Sequence, residues 1–181
     1  VFYTDRQAAI RAAHKQMLFD RIGYILLLLA ALLLAIDAGT GDVALLLDFA
    51  RSGQSGTITI FAAMLLALCA LIKSAQFPVH VWLPEVMETP TPVSATLHAG
   101  VINAGGFLLI RFADIMLTAP GVLAILVMIG GFTAIFGSMV MLTQSAVKTS
   151  LAWSTIAQMG FMILQCGLAL FPIALLHIVA H

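Results

Sequence analysis

The chain has 181 residues, of which 62% are hydrophobic and only 9% are charged, and its formal net charge is zero. A mean hydropathy of +1.10 places it among integral membrane proteins. The thinly spread basic residues give no electrostatic footprint for nucleic-acid binding, so that class is excluded. Because the chain starts without Met and stops inside an apolar run, we expect a piece of a longer polytopic protein.

Apolar runs follow one another at the length of membrane-spanning helices. A bilayer core takes about 20 apolar residues per helix, and a backbone in lipid must satisfy its own hydrogen bonds. None of the runs has the alternation of a barrel wall. The predicted fold is an all-α polytopic transmembrane helical bundle, with runs at about 22–36, 58–72, 93–110, 122–142, 147–170 and an incomplete one from 173.

Basic residues predict the orientation of the bundle. The segment before the first run holds Arg6, Arg11, Lys15 and Arg21, whereas the loop after it is acidic. Basic residues in short loops stay cytoplasmic, so the first helix should run from inside to outside. The same alternation returns Lys148 to the cytoplasmic side.

The second run continues into a polar, proline-rich stretch, KSAQFPVHVWLPEVMETPTPVSATLHAG, at residues 73–100. Pro78 removes a backbone donor and crowds the preceding turn, which predicts a helix break near 74–78 with Lys73 at its edge. A short helical piece is expected after it, over about 79–87. Broken helices line ion or substrate paths in transporters, so we predict a site here.

Ionisable side chains recur inside the later apolar runs. His98 lies in the third, Lys148 opens the fifth, and His177 and His181 lie four apart on one face of the sixth. Such groups are costly in a membrane and usually face a protein interior or a hydrated path. Histidine also titrates near neutral pH. Together with Lys73, these residues are typical of a proton relay.

Each of these residues also has a simpler interpretation. Lys73 could extend to the interface, with Trp82 as an aromatic anchor. His98 could be a hydrogen-bonded interhelical histidine. The spacing of His177 and His181 would suit a metal, but no third ligand is evident in the sequence.

The carboxylates near the break have two interpretations as well. Glu85 and Glu88 are candidate charge partners of Lys73 or Lys148, or they cap and solvate the inner end of the helices. Further along, Arg111 and Asp114 lie three residues apart where the third run meets the outer surface, and they are predicted to form an interfacial pair rather than part of a path. The NAGG and IGG glycines predict close helix packing.

An enzyme with chemistry of its own is the least favoured class. The sequence offers no paired nucleophile and base, no cofactor loop and no credible metal set. Cys69 and Cys166 fall in apolar runs and form no redox or metal motif.

The 73–99 stretch, with SAVKTSLAWSTIAQMGFM and LHIVAH later in the chain, resembles the antiporter-like membrane subunits shared by respiratory complex I and Mrp-type cation/proton antiporters. The resemblance covers about 20–181. It implies a longer protein built from inverted helical repeats, each with a broken helix at its centre. Residues 1–181 would form one transmembrane piece of that domain, with about six helices, the last truncated.

The resemblance also implies roles for the titratable residues. Lys73 matches the central proton-accepting lysine, His98 the relay residue of the next helix, and Lys148 the lysine that links two half-channels. His177 and His181 match the histidines leading to the second channel. The family's glutamate partner of the first lysine, and a later lysine, are expected outside these residues.

Within the family, HAGVINAGGFLLIRFADIM resembles the DabB-type subunits of energy-coupled inorganic carbon pumps. This branch implies a proton- or sodium-conducting subunit of the bacterial inner membrane with no cofactor of its own. Its expected partner is a large cytoplasmic zinc protein similar to β-carbonic anhydrase. The rivals are a proton-pumping subunit of NADH:quinone oxidoreductase or of an Mrp antiporter, and a structural subunit whose polar residues only hold helices together.

Overall fold

The structure is a computed structural model that describes residues 6–53, 56–86 and 90–180. The regular elements in these ranges are helices, as the apolar runs predict. In chain order they are α1 Gln7–Ala38, α2 Val43–Arg51, α3 Thr57–Lys73, α4 Trp82–Glu85, α5 Thr91–Thr96, α6 Ala104–Arg111, α7 Ala113–Leu117, α8 Pro120–Leu142, α9 Val147–Gly167 and α10 Phe171–Ala180. A 3-10 turn, Val79–Val81, precedes α4, and a π-helical turn, Leu97–Val101, joins α5 towards α6.

The first helix extends well beyond the apolar run that predicts it. The run begins at Ile22, but α1 begins at Gln7 and has 32 residues. The added segment is rich in Ala, Arg, Lys and Gln, which are strong helix formers. Hydropathy marks only the lipid-covered part of a helix, so it misses such an extension. The helix ends at Ala38 and is followed by Gly39, whose φ of 68° is the left-handed conformation common after helix C-termini.

The remaining predicted spans differ in how regular they are. Of the described helices, α1 and α8 are long and apolar enough to cross a membrane by length and composition. The third predicted span is divided into α5, the π turn and α6. A π turn interrupts the regular hydrogen-bond ladder and occurs frequently at functional sites. His98 lies in this turn.

The helices α8 and α9 form a hairpin whose backbones approach closely. A Cβ atom on Gly160 would lie 2.6 Å from the backbone nitrogen of Ala134. A Cβ on Gly130 would lie 2.6 Å from the backbone nitrogen of Leu164. Small residues allow this approach between membrane helices. The predicted role of the IGG glycines in close packing is therefore confirmed at Gly130.

The third helix lies at the centre, packed against α1 on one side and α6 on the other. A Cβ on Gly105 of α6 would lie 2.5 Å from the carbonyl oxygen of Ala70 in α3. Leu66 of α3, Leu109 of α6 and Met162 of α9 are fully buried in the shared core. This core holds the C-terminal end of α3, where the helix breaks.

At the opposite end of the bundle, α2 packs on α7 through an ion pair. Nη2 of Arg51 lies 2.9 Å from Oδ2 of Asp114. The hydrogen bond and the charge of Asp114 raise the pKa of Arg51. The sequence predicts that Arg111 pairs there instead. The prediction is wrong because the helix is interrupted at Phe112, between α6 and α7, so the helical spacing of three residues is lost.

Candidate functional site

The structure has a helix break where the sequence predicts one. The third helix ends at Lys73, and helical geometry resumes at Val79. Between them the Phe77–Pro78 peptide bond is cis. The short helical piece that follows runs to Glu85 in α4, close to the predicted length. Lys73 thus occupies the last position of an interrupted helix.

Side-chain and backbone hydrogen bonds hold the broken segment in place. The Ser74 hydroxyl donates to the carbonyl of Ala70 at 2.6 Å, and Nε2 of Gln76 donates to the carbonyl of Ser74 at 2.9 Å. The backbone N–H of Phe77 donates to Oγ1 of Thr133 in α8 at 3.1 Å. The break is therefore a fixed structure, fastened to α8 by a side chain.

Lys73 lies between two side chains of α1. Its Nζ donates to Oδ1 of Asp20 at 2.6 Å and lies 3.8 Å from the centroid of the Tyr24 ring. Asp20 and Tyr24 are four residues apart and share one face of the helix. The Lys73 side chain is 12% exposed and that of Asp20 is 32% exposed. A carboxylate and an aromatic face both attract a cation.

Gly23 allows α1 to approach this lysine. A Cβ atom there would lie 3.4 Å from Cε of Lys73, at the tight end of ordinary contact. Sequence reasoning missed both Asp20 and Tyr24 as partners of Lys73. The available signal was an aspartate at the inner edge of the first apolar run, one helical turn before a tyrosine.

Glu85 pairs with a different lysine from the two that the sequence suggests. Its Oε1 lies 2.5 Å from Nζ of Lys15, near the start of α1. The cause is tertiary, because α4 folds back against α1 and brings together residues 70 positions apart. Glu88 and His181 lie outside the described residues.

The other predicted relay residues occupy separate helical elements. His98 lies in the π turn, Lys148 in the first turn of α9, and His177 in α10. All three are partly buried. His177 lines a cleft against α9. Transfer of a proton between these positions stays a prediction.

His80, which sequence reasoning did not single out, lies in an aromatic box after the break. Its ring centroid is 5.6 Å from that of Phe77, 5.6 Å from that of Phe136 and 5.3 Å from that of Trp153. The side chain is 9% exposed. These rings anchor the 3-10 turn to both α8 and α9. Within residues 6–53, 56–86 and 90–180, no three His, Cys, Asp or Glu side chains form a group suited to a metal ion.

Similarity to known proteins extends over the whole chain. The family model described as NADH:quinone oxidoreductase/Mrp antiporter, TM, matches residues 1–181. A protein of Hydrogenovibrio crunogenus named "Probable inorganic carbon transporter subunit DabB" is 48% identical, over 100% of this chain and 35% of that protein. The NAD(P)H-quinone oxidoreductase chain 5 of Synechocystis is 39% identical, over 99% of this chain and 27% of that protein. The chain thus spans between about a quarter and a third of the length of these curated relatives.

Solved structures share the same fold. The Mrp complex from Dietzia sp. matches with a TM-score of 0.91 and 33% identity, over 98% of this chain and 20% of that one. Respiratory complex I from Thermus thermophilus matches with a TM-score of 0.71 and 23% identity, over 94% of this chain and 41% of that one, which supports the fold alone. The helical bundle with its lysine at a broken helix is multi-pass membrane architecture, and the chain belongs to the NADH:quinone oxidoreductase/Mrp antiporter transmembrane family.

Proposed function

We propose that the full-length protein is the ion-conducting membrane subunit of an energy-coupled complex for inorganic carbon uptake. The coupling ion is a proton, and Lys73 is its central carrier in this part of the chain. The subunit transports and has no chemistry of its own. The observation that carries the proposal is the part-buried ammonium of Lys73, held by Asp20 at the end of an interrupted helix.

This geometry suits a group that gains and loses a proton. An ammonium inside a membrane protein is stable only with a partner, and Asp20 supplies one at 2.6 Å. Loss of the proton would leave the Asp20 carboxylate without its countercharge and would therefore change the forces between α1 and α3. A proton step at Lys73 is thereby coupled to helix packing, and packing is the means by which a distant partner would sense it.

The proposed route continues through the residues of the later helices. Lys73 exchanges protons through water with His98 in the π turn, and Lys148 connects that path to His177 and His181. Histidine serves at such steps because its charge changes near neutral pH. The interrupted backbone at 74–78 and the π turn at Leu97–Val101 provide the carbonyl groups that hold water in such paths.

The carbon-uptake assignment rests on the relatives. Identity is higher to the inorganic carbon transporter subunits DabB than to the quinone oxidoreductase chains, over the same span. On this assignment the partner is a large cytoplasmic protein that resembles a zinc β-carbonic anhydrase and carries the zinc. The complex lies in the bacterial inner membrane, where the ion gradient makes capture of carbon dioxide as bicarbonate effectively one-way.

The second candidate is a proton-pumping subunit of a respiratory NADH:quinone oxidoreductase or of an Mrp antiporter. The specific observation in its favour is the fold match to the Mrp complex at a TM-score of 0.91. The same lysine would then respond to redox chemistry or to cation exchange. Its partners would be further membrane subunits of such a complex.

The test of Lys73 measures bicarbonate accumulation per assembled complex in cells that carry the full-length protein. Lys73→Ala should reduce accumulation by about 100-fold, the scale of a lost proton-transfer group. The matched control is Lys15→Ala, which removes another ion-paired lysine, whose side chain is 38% exposed. Accumulation should be close to normal in this control. Normal accumulation in an assembled Lys73→Ala complex would refute the role of Lys73.

Purification in mild detergent separates the two candidate complexes. A single large soluble partner with bound zinc supports carbon uptake. If flavin and iron–sulfur subunits purify with the protein instead, or a set of small antiporter subunits does, the second candidate function is supported and carbon uptake is refuted. A purely structural subunit predicts a third pattern, in which Lys73→Ala lowers assembly while transport per assembled complex is unchanged.

A further inference from the structure

A cleft of about 640 Å³ lies at the start of α1, where this helix contacts α4. It is lined by Ala8, Arg11, His14, Lys15, Leu18 and Glu85. Lys15 and Glu85 form an ion pair with each other, with 2.5 Å between Nζ and Oε1, so their charges largely cancel. The remaining formal charge of the lining residues is the positive charge of Arg11.

Arg11 and His14 are the two polar cleft side chains without an ionic partner among the residues that the structure describes. Both are exposed, and they lie three residues apart, so they are neighbours on the helix surface. Nε of Arg11 donates to the carbonyl oxygen of Gln7, in the same helix, at 3.5 Å, which is a weak hydrogen bond. A guanidinium has five donors in a planar fork that fits the oxygens of a phosphate or carboxylate. These two side chains can therefore donate to an anion.

An apolar stripe begins at the cleft and continues along α1. Each of its side chains is between 45% and 63% exposed: Leu18, Ile22, Ile25, Leu29, Leu32 and Ile36. Their spacing of three or four residues places them on one face of the helix. From Leu18 to Leu29 the helix rises roughly 16 Å, which is close to one half of a hydrocarbon core of about 30 Å. The stripe is thus long enough for the acyl chains of one leaflet.

Together, the cleft and the apolar stripe match the chemistry of an anionic phospholipid. Its phosphate suits the donors of Arg11 and His14, and its acyl chains suit the exposed apolar side chains. A soluble acidic peptide or a free phosphate would use the cleft alone and would not account for the stripe. The predicted orientation places this end of α1 on the cytoplasmic side, where basic pockets beside membrane helices bind anionic headgroups.

We propose that this cleft binds the headgroup of one anionic phospholipid from the inner leaflet. Arg11 donates to the phosphate oxygens, with His14 beside it, and the acyl chains lie along the apolar stripe. The bound lipid covers the exposed face of α1 and adds a contact between α1 and α4. Its binding does not depend on which ion the protein carries.

Lipid titration of the full-length protein in its complex tests the headgroup contact. The complex is purified in mild detergent, stripped of lipid and titrated with phosphatidylglycerol or with zwitterionic phosphatidylethanolamine, while native mass spectrometry counts the bound lipids. We expect one site that prefers phosphatidylglycerol by about fivefold, the scale for one basic residue at an anionic surface. Arg11→Gln should remove this preference. Equal affinity for the two lipids in the natural protein would overturn the proposal.

Arg21→Gln is the matched control for charge, because it removes an arginine from the same helix. Arg21 lines a different groove of α1, together with Met17, Asp20 and Tyr24. Its substitution should leave the preference for phosphatidylglycerol intact. If both arginine variants lose the preference equally, the lipid is attracted by the overall charge of α1, and the proposal is refuted.

A pair of apolar substitutions tests the acyl-chain contact. Leu18→Gln places an amide where the cleft meets the stripe, and it should weaken phosphatidylglycerol binding about threefold through lost apolar contact. The control Met17→Gln changes a neighbouring side chain, 51% exposed, that lines the other groove, and binding should be nearly normal. Equal weakening in the two variants would contradict the contact with the stripe.

Glycerol phosphate, which has the headgroup chemistry without acyl chains, distinguishes a phospholipid from a free anion. At the concentration of the lipid, it should not displace phosphatidylglycerol from the natural protein. Displacement would show that the apolar stripe does not contribute to binding, and the phospholipid assignment would be wrong.

Other occupants of this face give a different result. If another segment of the longer protein or its cytoplasmic partner covers the cleft, Arg11→Gln will leave lipid binding unchanged, which refutes the proposal. Failure of lipid binding leaves the assignment of Lys73 standing. Normal transport in Lys73→Ala, in turn, refutes the proposed carrier and leaves the lipid site standing.

Discussion

The α8–α9 hairpin and the α1–α3 contact hold the bundle together by different means. In the hairpin, glycines bring the two backbones together, and a single added Cβ at Gly160 would meet the chain at 2.6 Å. Between α1 and α3, the contact at the broken end is an ion pair and a cation–ring contact made by long side chains. The backbone packing between α8 and α9 does not depend on charge. The contact between α1 and α3 does, because it changes with the charge of Lys73.

Charge can change at the contact with α1, whereas the α8–α9 contact holds only closely packed backbone and small residues. The break is fastened to the rigid pair through Thr133 and through the ring box around His80. Its other side lies against α1 through a titratable contact. A change in the charge of Lys73 would therefore act on α1 rather than on the hairpin. Substitutions at each contact test whether the two contacts differ in this way.

The largest effect on stability is expected from Asp20→Leu. It leaves the part-buried Lys73 ammonium without its carboxylate, at a cost of about 1.5–3 kcal/mol for a charged hydrogen bond. Thermal unfolding of the assembled complex in detergent measures the loss. The double variant Asp20→Leu with Lys73→Met should recover much of it, and a double variant as unstable as the sum of both changes would contradict the pairing.

Gly160→Ala should cost nearly as much, by overpacking the hairpin. The added methyl cannot be placed without separating α8 from α9, at about 1–3 kcal/mol. Gly131→Ala is the control, because its Cβ would make an ordinary 3.8 Å contact with Leu164. Transport per assembled complex should be unaffected in both variants. Equal thermal midpoints for the two variants would show that the close approach of α8 and α9 at Gly160 does not contribute to stability.

Thr133→Val should loosen the break from α8 at a cost of about 1 kcal/mol, because the N–H of Phe77 loses its acceptor. Ser138→Ala, on the same helix, removes only a hydroxyl that donates to the carbonyl of Ala134. Amide hydrogen exchange at residues 74–77 should rise in the first variant alone. Protection that is the same in both would refute the fastening role of Thr133.

Tyr24→Leu should have a smaller effect, about 0.5–1 kcal/mol, because Tyr24 is 54% exposed and such cation–ring contacts are weak at exposed sites. Tyr24→Phe keeps the aromatic face and should behave like the natural protein. The same thermal assay measures both. If Tyr24→Phe were as destabilised as Tyr24→Leu, the hydroxyl and not the cation–ring contact would be responsible.

Arg51→Met should give the smallest effect. Its pair with Asp114 lies at the surface, where solvent and salt screen the charges and exposed pairs contribute little. No measurable change in the thermal midpoint is expected at physiological salt. If Arg51→Met did lower the thermal midpoint, and lowered it no further in a protein that already carries Asp114→Asn, this pair would instead be shown to hold α2.

The helical class, the position of most helices and the break could be predicted from the residues alone. Apolar length indicates where helices cross lipid, and Pro78 removes a backbone donor and crowds the preceding turn, which favours a break in the helix before it. The sequence also identified Lys73 as the residue at the break, since both features are local. The start of α1 at Gln7 was not predicted, because hydropathy does not indicate the part of a helix that extends beyond the lipid.

Which charged side chains form ion pairs depends on how the helices pack. Lys73 pairs with Asp20 across 53 positions and Glu85 with Lys15 across 70, and no local spacing contains such information. Asp114 changes partner because a single residue, Phe112, interrupts the helix. Polar groups that look alike in an apolar sequence thus acquire distinct roles only when packing fixes their neighbours, since ion pairs depend on distance and burial rather than on order along the chain.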